Sequence, residues 1–357
     1  MSKLTVFSKK EILLFFLIII FIFKPPFKEY ATNAIIIHLF SFVSLISMFS
    51  YRRIKIKIAL IAMLLYGLIL YQTISFNITA AYPLATSLLF LYFIKEKNIS
   101  FSCKYNPLIL LIPIALATIT IHESHIGRYS LLNGDPNYTC LLITTLCILL
   151  LTTYKRNYVF LLSLFIITLT IILTQSRTGL LALFVFYLCK KTNNKLLLTY
   201  FIIVFSIIAQ FILAYLLPST IEYFDFGHEN RFLNFNDKSN IDRIYIYKLA
   251  FDFLINNIDE FWFHGIRNYL EVNTIAENIP HNWFIQSIIG FGLTFTITYI
   301  IFLLYILYKL GDKIKFLLPF ICYFFIYASF LSYYPLTTPF LLTLLFFFYL
   351  SKKYNAN

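Results

Sequence analysis

With 357 residues, 60% of them hydrophobic and only 13% charged, and a mean hydropathy of +0.80, the chain is far too apolar for a water-soluble domain. Lys and Arg number 29 against 16 Asp and Glu, a net charge of +13. In a soluble protein that excess would suggest nucleic acid. Here the basic residues cluster in turns between apolar runs, which excludes a nucleic-acid groove and points to a membrane. The richness in Phe, Tyr, Ile, Asn and Lys resembles a coding bias, so the aromatic count is not taken as a sign of sugar stacking.

The first apolar run, 12–23, follows Lys9 and Lys10 and ends at Lys24-Pro25-Pro26, not at a small-residue cleavage site. It reads as a retained helix and not as a signal peptide. Further runs occupy 34–50, 57–74, 78–94, 106–121, 138–153, 157–174, 178–190, 196–217, 283–308, 314–331 and 336–350. They predict an all-α polytopic membrane protein with about twelve transmembrane helices. The expected parts are N-terminal transmembrane helices (1–217), one large external loop with short helices (218–280), and C-terminal transmembrane helices (281–357).

Basic pairs such as Lys9-Lys10, Arg52-Arg53, Lys155-Arg156, Lys190-Lys191 and Lys352-Lys353 all fall on one side if the spans alternate. By the positive-inside rule that side is the cytoplasm, and both termini lie in it. Three pieces then face outward: 122–137, 174–177 and 218–280. Each carries an arginine, Arg128, Arg177 and Arg243 respectively. Charge at the mouth of an apolar segment is costly. Lipid phosphates would account for it blandly, an anionic ligand functionally. Cys140, Cys147, Cys189 and Cys322 lie in apolar runs and Cys103 in a turn; no metal spacing or disulfide framework is present, and neither metal nor cofactor is expected.

Within the long loop, Ser239-Asn240-Ile241-Asp242 has capping-box spacing. Ile244, Tyr247, Phe251, Leu254 and Ile258 follow at helical intervals, interrupted by Lys248 and Asp252, which suits an interfacial amphipathic helix with Arg243 in its first turn. At the far end, Asn278 is placed as a cap, with Pro280 and His281 in the first turn of the next helix. The amides there disfavour a protonated imidazole, so His281 is either a neutral general base or a structural histidine at the membrane face. The many loop carboxylates read as a solvated face, with a carboxylate base as the competing mechanism.

Three ordered patterns carry a family likeness: Gly134-Asp135-Pro136-Asn137, Thr174-Gln175-Ser176-Arg177-Thr178-Gly179, and His281-Asn282 followed by Gly290 and Gly292. Over about 110–310 the chain resembles the superfamily of O-antigen ligases and O-antigen polymerases, polytopic inner-membrane proteins with one large periplasmic loop. The resemblance implies transfer of a glycan from undecaprenyl pyrophosphate to an acceptor hydroxyl on the periplasmic face, without a metal. It carries the catalytic role to His281 and donor-pyrophosphate binding to Arg177 and Arg243, with Arg128, Asp135, Asn137 and Asn282 as supporting residues. Phe263-His264-Gly265-Ile266-Arg267 departs from the Gly-x-Gly element common in the family. The implied partners are the undecaprenyl-pyrophosphate-linked oligosaccharide, membrane lipids, a chain-length regulator, and either a second lipid-linked repeat (polymerase, slightly preferred) or lipid A-core (ligase) as acceptor. Transport of the lipid-linked sugar is the alternative of another class, permitted by interior polar residues such as Gln72, Asn77 and Gln210.

Overall fold

A computed structural model describes residues 15, 16, 18, 19, 78–95, 107–125, 128–131, 135–154, 157–215, 238–263, 265, 282–331 and 335–351. Eleven α-helices and one β-hairpin account for most of them. The helices are α1 (Ile78–Lys95), α2 (Leu108–Ile119), α3 (Pro136–Thr153), α4 (Asn157–Thr174), α5 (Arg177–Lys191), α6 (Lys195–Tyr215), α7 (Lys238–Asn256), α8 (Trp283–Phe291), α9 (Leu293–Leu310), α10 (Leu318–Phe330) and α11 (Thr338–Ser351). Between α2 and α3, β1 (Ile121–His125) pairs antiparallel with β2 (Arg128–Leu131), in the register Ile121 to Leu131 and His122 to Ser130, with an irregularity between Glu123 and His125.

The expectation of about twelve transmembrane helices is overturned. Among the described residues, four helices are long and apolar enough to cross a membrane: α3, α4, α6 over Lys195–Ile212, and α9. Helices α2, α5, α10 and α11 have 12, 15, 13 and 14 residues. At 1.5 Å per residue they rise about 18–22 Å, short of a hydrocarbon layer about 30 Å thick. The runs expected at 12–23, 34–50 and 57–74 lie outside the described residues, apart from four helical positions between 15 and 19. The run 283–308, expected as one span, is two helices. Gly292 separates them with φ 87° and ψ 162°, a conformation open to glycine and closed to other residues. Its N–H donates to the Ile288 carbonyl to end α8, and its carbonyl accepts from Thr296 N–H to open α9. The fold is all-helical as expected, apart from one short hairpin at 121–131.

The described residues form two compact units, one built on β1, β2 and α2–α4, the other on α1 and α6–α10; α5 and α11 contribute to both. In the first unit α3 packs along α4. Helix α3 is enclosed on nearly all sides, and its threonines survive there by bonding their own helix: Thr145 Oγ1 donates to the Leu141 carbonyl (2.6 Å) and Thr153 Oγ1 to Leu149 (2.6 Å). Helix α4 instead turns Leu161, Phe165 and Ile172 outward, as α6 does Phe201, Phe205, Ile208 and Ile212. Such apolar exteriors suit hydrocarbon, not water.

The second unit has an aromatic interior. Phe186 meets Phe320 edge-on at 5.2 Å, and Trp283, fully buried, meets Phe325 at 5.4 Å. Edge-to-face pairs of this kind add to the area they bury. They fix the start of α8 against α10, which places the chain just after His281.

Candidate functional site

The first unit gathers four of the expected site residues around the start of α3 and α5. Asp135 caps α3: its Oδ1 accepts from Asn137 N–H at 2.6 Å, and Pro136 takes the first helical position, where a missing N–H costs nothing. Capping holds Asn137 in the first turn, buried, with its side chain toward the end of α4. There Arg128 and Ser176 converge on Asn137 Oδ1, Nη2 of the arginine at 3.4 Å and Oγ of the serine at 3.0 Å. Two donors on one oxygen fix which end of the amide is the carbonyl. Arg128 Nε also donates to the Thr174 carbonyl at 3.1 Å.

Arg128 is 7% exposed, so contact with lipid headgroups does not explain it. The hairpin does: pairing of β1 with β2 turns Arg128 inward beneath the α4–α5 junction, where it bridges that junction to α3. Ser176 completes the link by capping α5, its Oγ accepting from Gly179 N–H at 3.2 Å. The turn between the helices depends on Gln175, whose φ of 49° is left-handed. A non-glycine residue held there costs free energy and needs surroundings that enforce it.

Arg177, half-buried, is the first residue of α5, and the first turn holds no acidic side chain. A guanidinium at a helix N-terminus opposes the helix dipole by about 0.3–1 kcal/mol. An anion bound at the same place would reverse that sign, since the amides and the guanidinium would then act together.

Arg243 and Asn282 belong to the second unit. Helix α7 begins at Lys238, so Ser239 lies within it and not at the cap, and Arg243 falls in the second turn, not the first. The buried face of α7 is Ile246, Tyr247, Ala250 and Leu254; Ile258, expected in that stripe, is exposed beyond the helix end. Helix α8 starts at Trp283, with Asn282 as its cap: Oδ1 accepts from Phe284 N–H at 3.2 Å and Ile285 N–H at 3.1 Å. Asn278 therefore does not cap this helix, and His281 precedes the cap instead of sitting in the first turn. Both Asn278 and His281 lie outside the described residues, as does Gly134.

Gln210 is a residue that the site expectations omitted. Its Oε1 accepts from Phe284 N–H at 3.3 Å while its Nε2 donates to Ser329 Oγ at 2.9 Å, joining α6, α8 and α10 through one buried amide. A lone glutamine in an apolar run was the only sequence signal, and its partners are far away in the chain. Gly265 packs so tightly on the backbone of Gly290 that a Cβ there would collide with the Gly290 carbonyl. In place of a Gly-x-Gly element, the chain has two distant glycines meeting.

The chain is a multi-pass helical membrane protein. Over residues 160–300 it matches a family model described as O-antigen ligase, a stretch under half of the chain that runs from α4 into α9. No curated protein matches it, and no solved structure does.

Proposed function

We propose that the protein transfers a glycan from undecaprenyl pyrophosphate to a sugar hydroxyl at the outer face of the inner membrane. What carries this is the overlap of the matched segment, 160–300, with the polar mouth at Ser176-Arg177, the helix bearing Arg243, and the Asn282-capped start of α8. In this scheme Arg177 and Arg243 bind the donor pyrophosphate with forked hydrogen bonds, and hold it best as charge builds on the departing group. Arg128, Asp135 and Asn137 support the Arg177 mouth through the bonds described above. His281 takes the proton from the acceptor hydroxyl, and Asn282 fixes the helix that follows it. The hydroxyl oxygen bonds to the anomeric carbon as the bond to the pyrophosphate oxygen breaks, without a sugar–enzyme intermediate.

The acceptor in this scheme is a second lipid-linked repeat, with a chain-length regulator as partner. Transfer to lipid A-core is the second reading, favoured by the description of the matched family as O-antigen ligase. Protein reconstituted in lipid and given labelled donor with both acceptors separates the two: a ladder of lipid-linked products marks polymerisation, and label on core lipid marks ligation. His281→Gln is expected to insert normally and bind donor, yet to lower the rate by about 10²–10⁴-fold. Near-normal turnover by that variant, with the pH dependence of the wild type, removes His281 as the base. Movement of donor across the vesicle with no new glycosidic bond would make the protein a transporter.

A further inference from the structure

The end of α7 and the turn after it expose a group of apolar side chains where a soluble loop would show polar ones. Ile255, Ile258, Trp262 and Phe263 are 54%, 47%, 46% and 65% exposed, while Phe261 between them is buried against Phe253, ring centroids 5.6 Å apart. The turn is ordered by its own bonds, Glu260 N–H to the Asn257 carbonyl and Phe261 N–H to Ile258. Its position follows from two further bonds. Leu293 N–H donates to the Phe261 carbonyl at 2.7 Å, and Thr294 N–H to the Trp262 carbonyl at 3.0 Å. The hydroxyl of Thr294 donates to the same Trp262 carbonyl.

Those donors are the first two residues of α9, which is long and apolar enough to span the membrane. Four and eight residues along α9 from Leu293, Ile297 and Ile301 are exposed on its surface. The carbonyls of the turn thus satisfy amides at the α9 N-terminus, a task that water or a side chain usually performs. A turn bonded to the first residues of a spanning helix lies at the depth where that helix enters the bilayer. Trp and Phe flanked by Asp259 and Glu260, both exposed, match the mixed chemistry of that layer.

We propose that residues 255–263 form a membrane-interface foot, with Ile255, Ile258, Trp262 and Phe263 inserted shallowly among phospholipid headgroups and the upper acyl chains beside the first turn of α9. Continuity with α9 selects phospholipid as the occupant. The acidic pair sets the depth, since neither carboxylate can follow the rings into hydrocarbon without a large cost. The foot does not depend on the reaction proposed above.

The chain has two tryptophans, Trp262 and the fully buried Trp283, so fluorescence reads the foot directly. The full-length protein is placed in phosphatidylcholine vesicles brominated at acyl carbons 6,7 or 11,12, and the Trp262→Phe variant is measured in parallel. The difference between the two proteins is the Trp262 signal. It is expected to be quenched severalfold more by the 6,7-dibromo lipid than by the 11,12 form, and reached by aqueous iodide severalfold less than free tryptophanamide. Moving the reporter by one residue, with Phe263→Trp in the Trp262→Phe background, should give the same order. Insensitivity of both reporters to bromine overturns the proposal: with free iodide access the turn stands in water, and without it a protein surface covers the turn. Stronger quenching by the 11,12 lipid also overturns it, because the side chains would then lie deeper than the interface.

Discussion

Asn137 is the residue on which the first unit's polar cluster depends, because its Oδ1 takes one donor from Arg128 and another from Ser176. Asn137→Leu keeps the size of the side chain and removes the acceptor, leaving two buried donors with one bond fewer each. A bond lost at a buried donor costs about 1–3 kcal/mol, so the melting temperature of the purified variant should fall below that of the wild type. Asn137→Asp separates structure from binding. The carboxylate still accepts from both donors and now pairs with a guanidinium, so its melting temperature should equal or exceed the wild-type value. Bonded to Ser176, the residue before Arg177, the same carboxylate adds a negative charge at the mouth, so affinity for undecaprenyl pyrophosphate should drop about tenfold. An Asp variant as stable as the wild type that binds the donor equally well would show that this mouth does not hold the pyrophosphate.

At the scale of elements, Gly292 decides whether the run 283–308 is one helix or two. A residue with a Cβ at φ 87° and ψ 162° costs about 1–3 kcal/mol. Gly292→Ala should therefore destabilise the protein by that amount, or let α8 and α9 fuse and draw Leu293 and Thr294 away from the 261–262 carbonyls. Hydrogen exchange would distinguish these: in a fused helix the Leu293 and Thr294 amides stay protected by carbonyls four residues earlier, while the released turn exchanges faster at the Glu260 and Phe261 amides; simple destabilisation leaves the pattern unchanged. The break was hidden in the sequence because hydropathy continues through a glycine, and no side chain there marks the angle. Other features were legible for the opposite reason. The apolar runs expected at 138–153 and 178–190 show themselves by their own hydropathy, and the structure starts α3 and α5 at Pro136 and Arg177, within two residues of them. The hairpin at 121–131 was not legible: it is short, its pattern does not alternate, and its role rests on burying Arg128 against residues about 50 positions later. Gln210 failed in the same way, being visible as a polar residue in an apolar run while Phe284 and Ser329, its partners, were not.

At the scale of the molecule, orientation rests on charge and on the helices that separate the charged ends. Lys190 and Lys191 close α5, Lys195 opens α6, and Lys248 lies on α7 beyond α6. Helix α6 is able to span the membrane over Lys195–Ile212, with Phe201, Phe205 and Ile208 turned outward. If it does, residues 191 and 248 lie on opposite faces of the bilayer, and the positive-inside rule assigns the lysine cluster to the cytoplasm. Cysteine labelling in intact cells with a membrane-impermeant maleimide tests this, because Cys140, Cys147, Cys189 and Cys322 are buried and give little background. Removing Cys103 by Cys103→Ser deals with the remaining thiol. In that background Lys248→Cys should label in intact cells whose outer barrier is permeabilised, and Lys191→Cys only after the inner membrane is opened. Both lysines are exposed, so failure to react cannot come from burial. Labelling of both variants from the same side would mean that α6 does not cross, and the α7 helix with Arg243 would then share the cytoplasmic face with the lysine cluster. A glycan donor presented on the outer face could not reach Arg243 there, and the pairing of Arg243 with the donor pyrophosphate would fall with the topology.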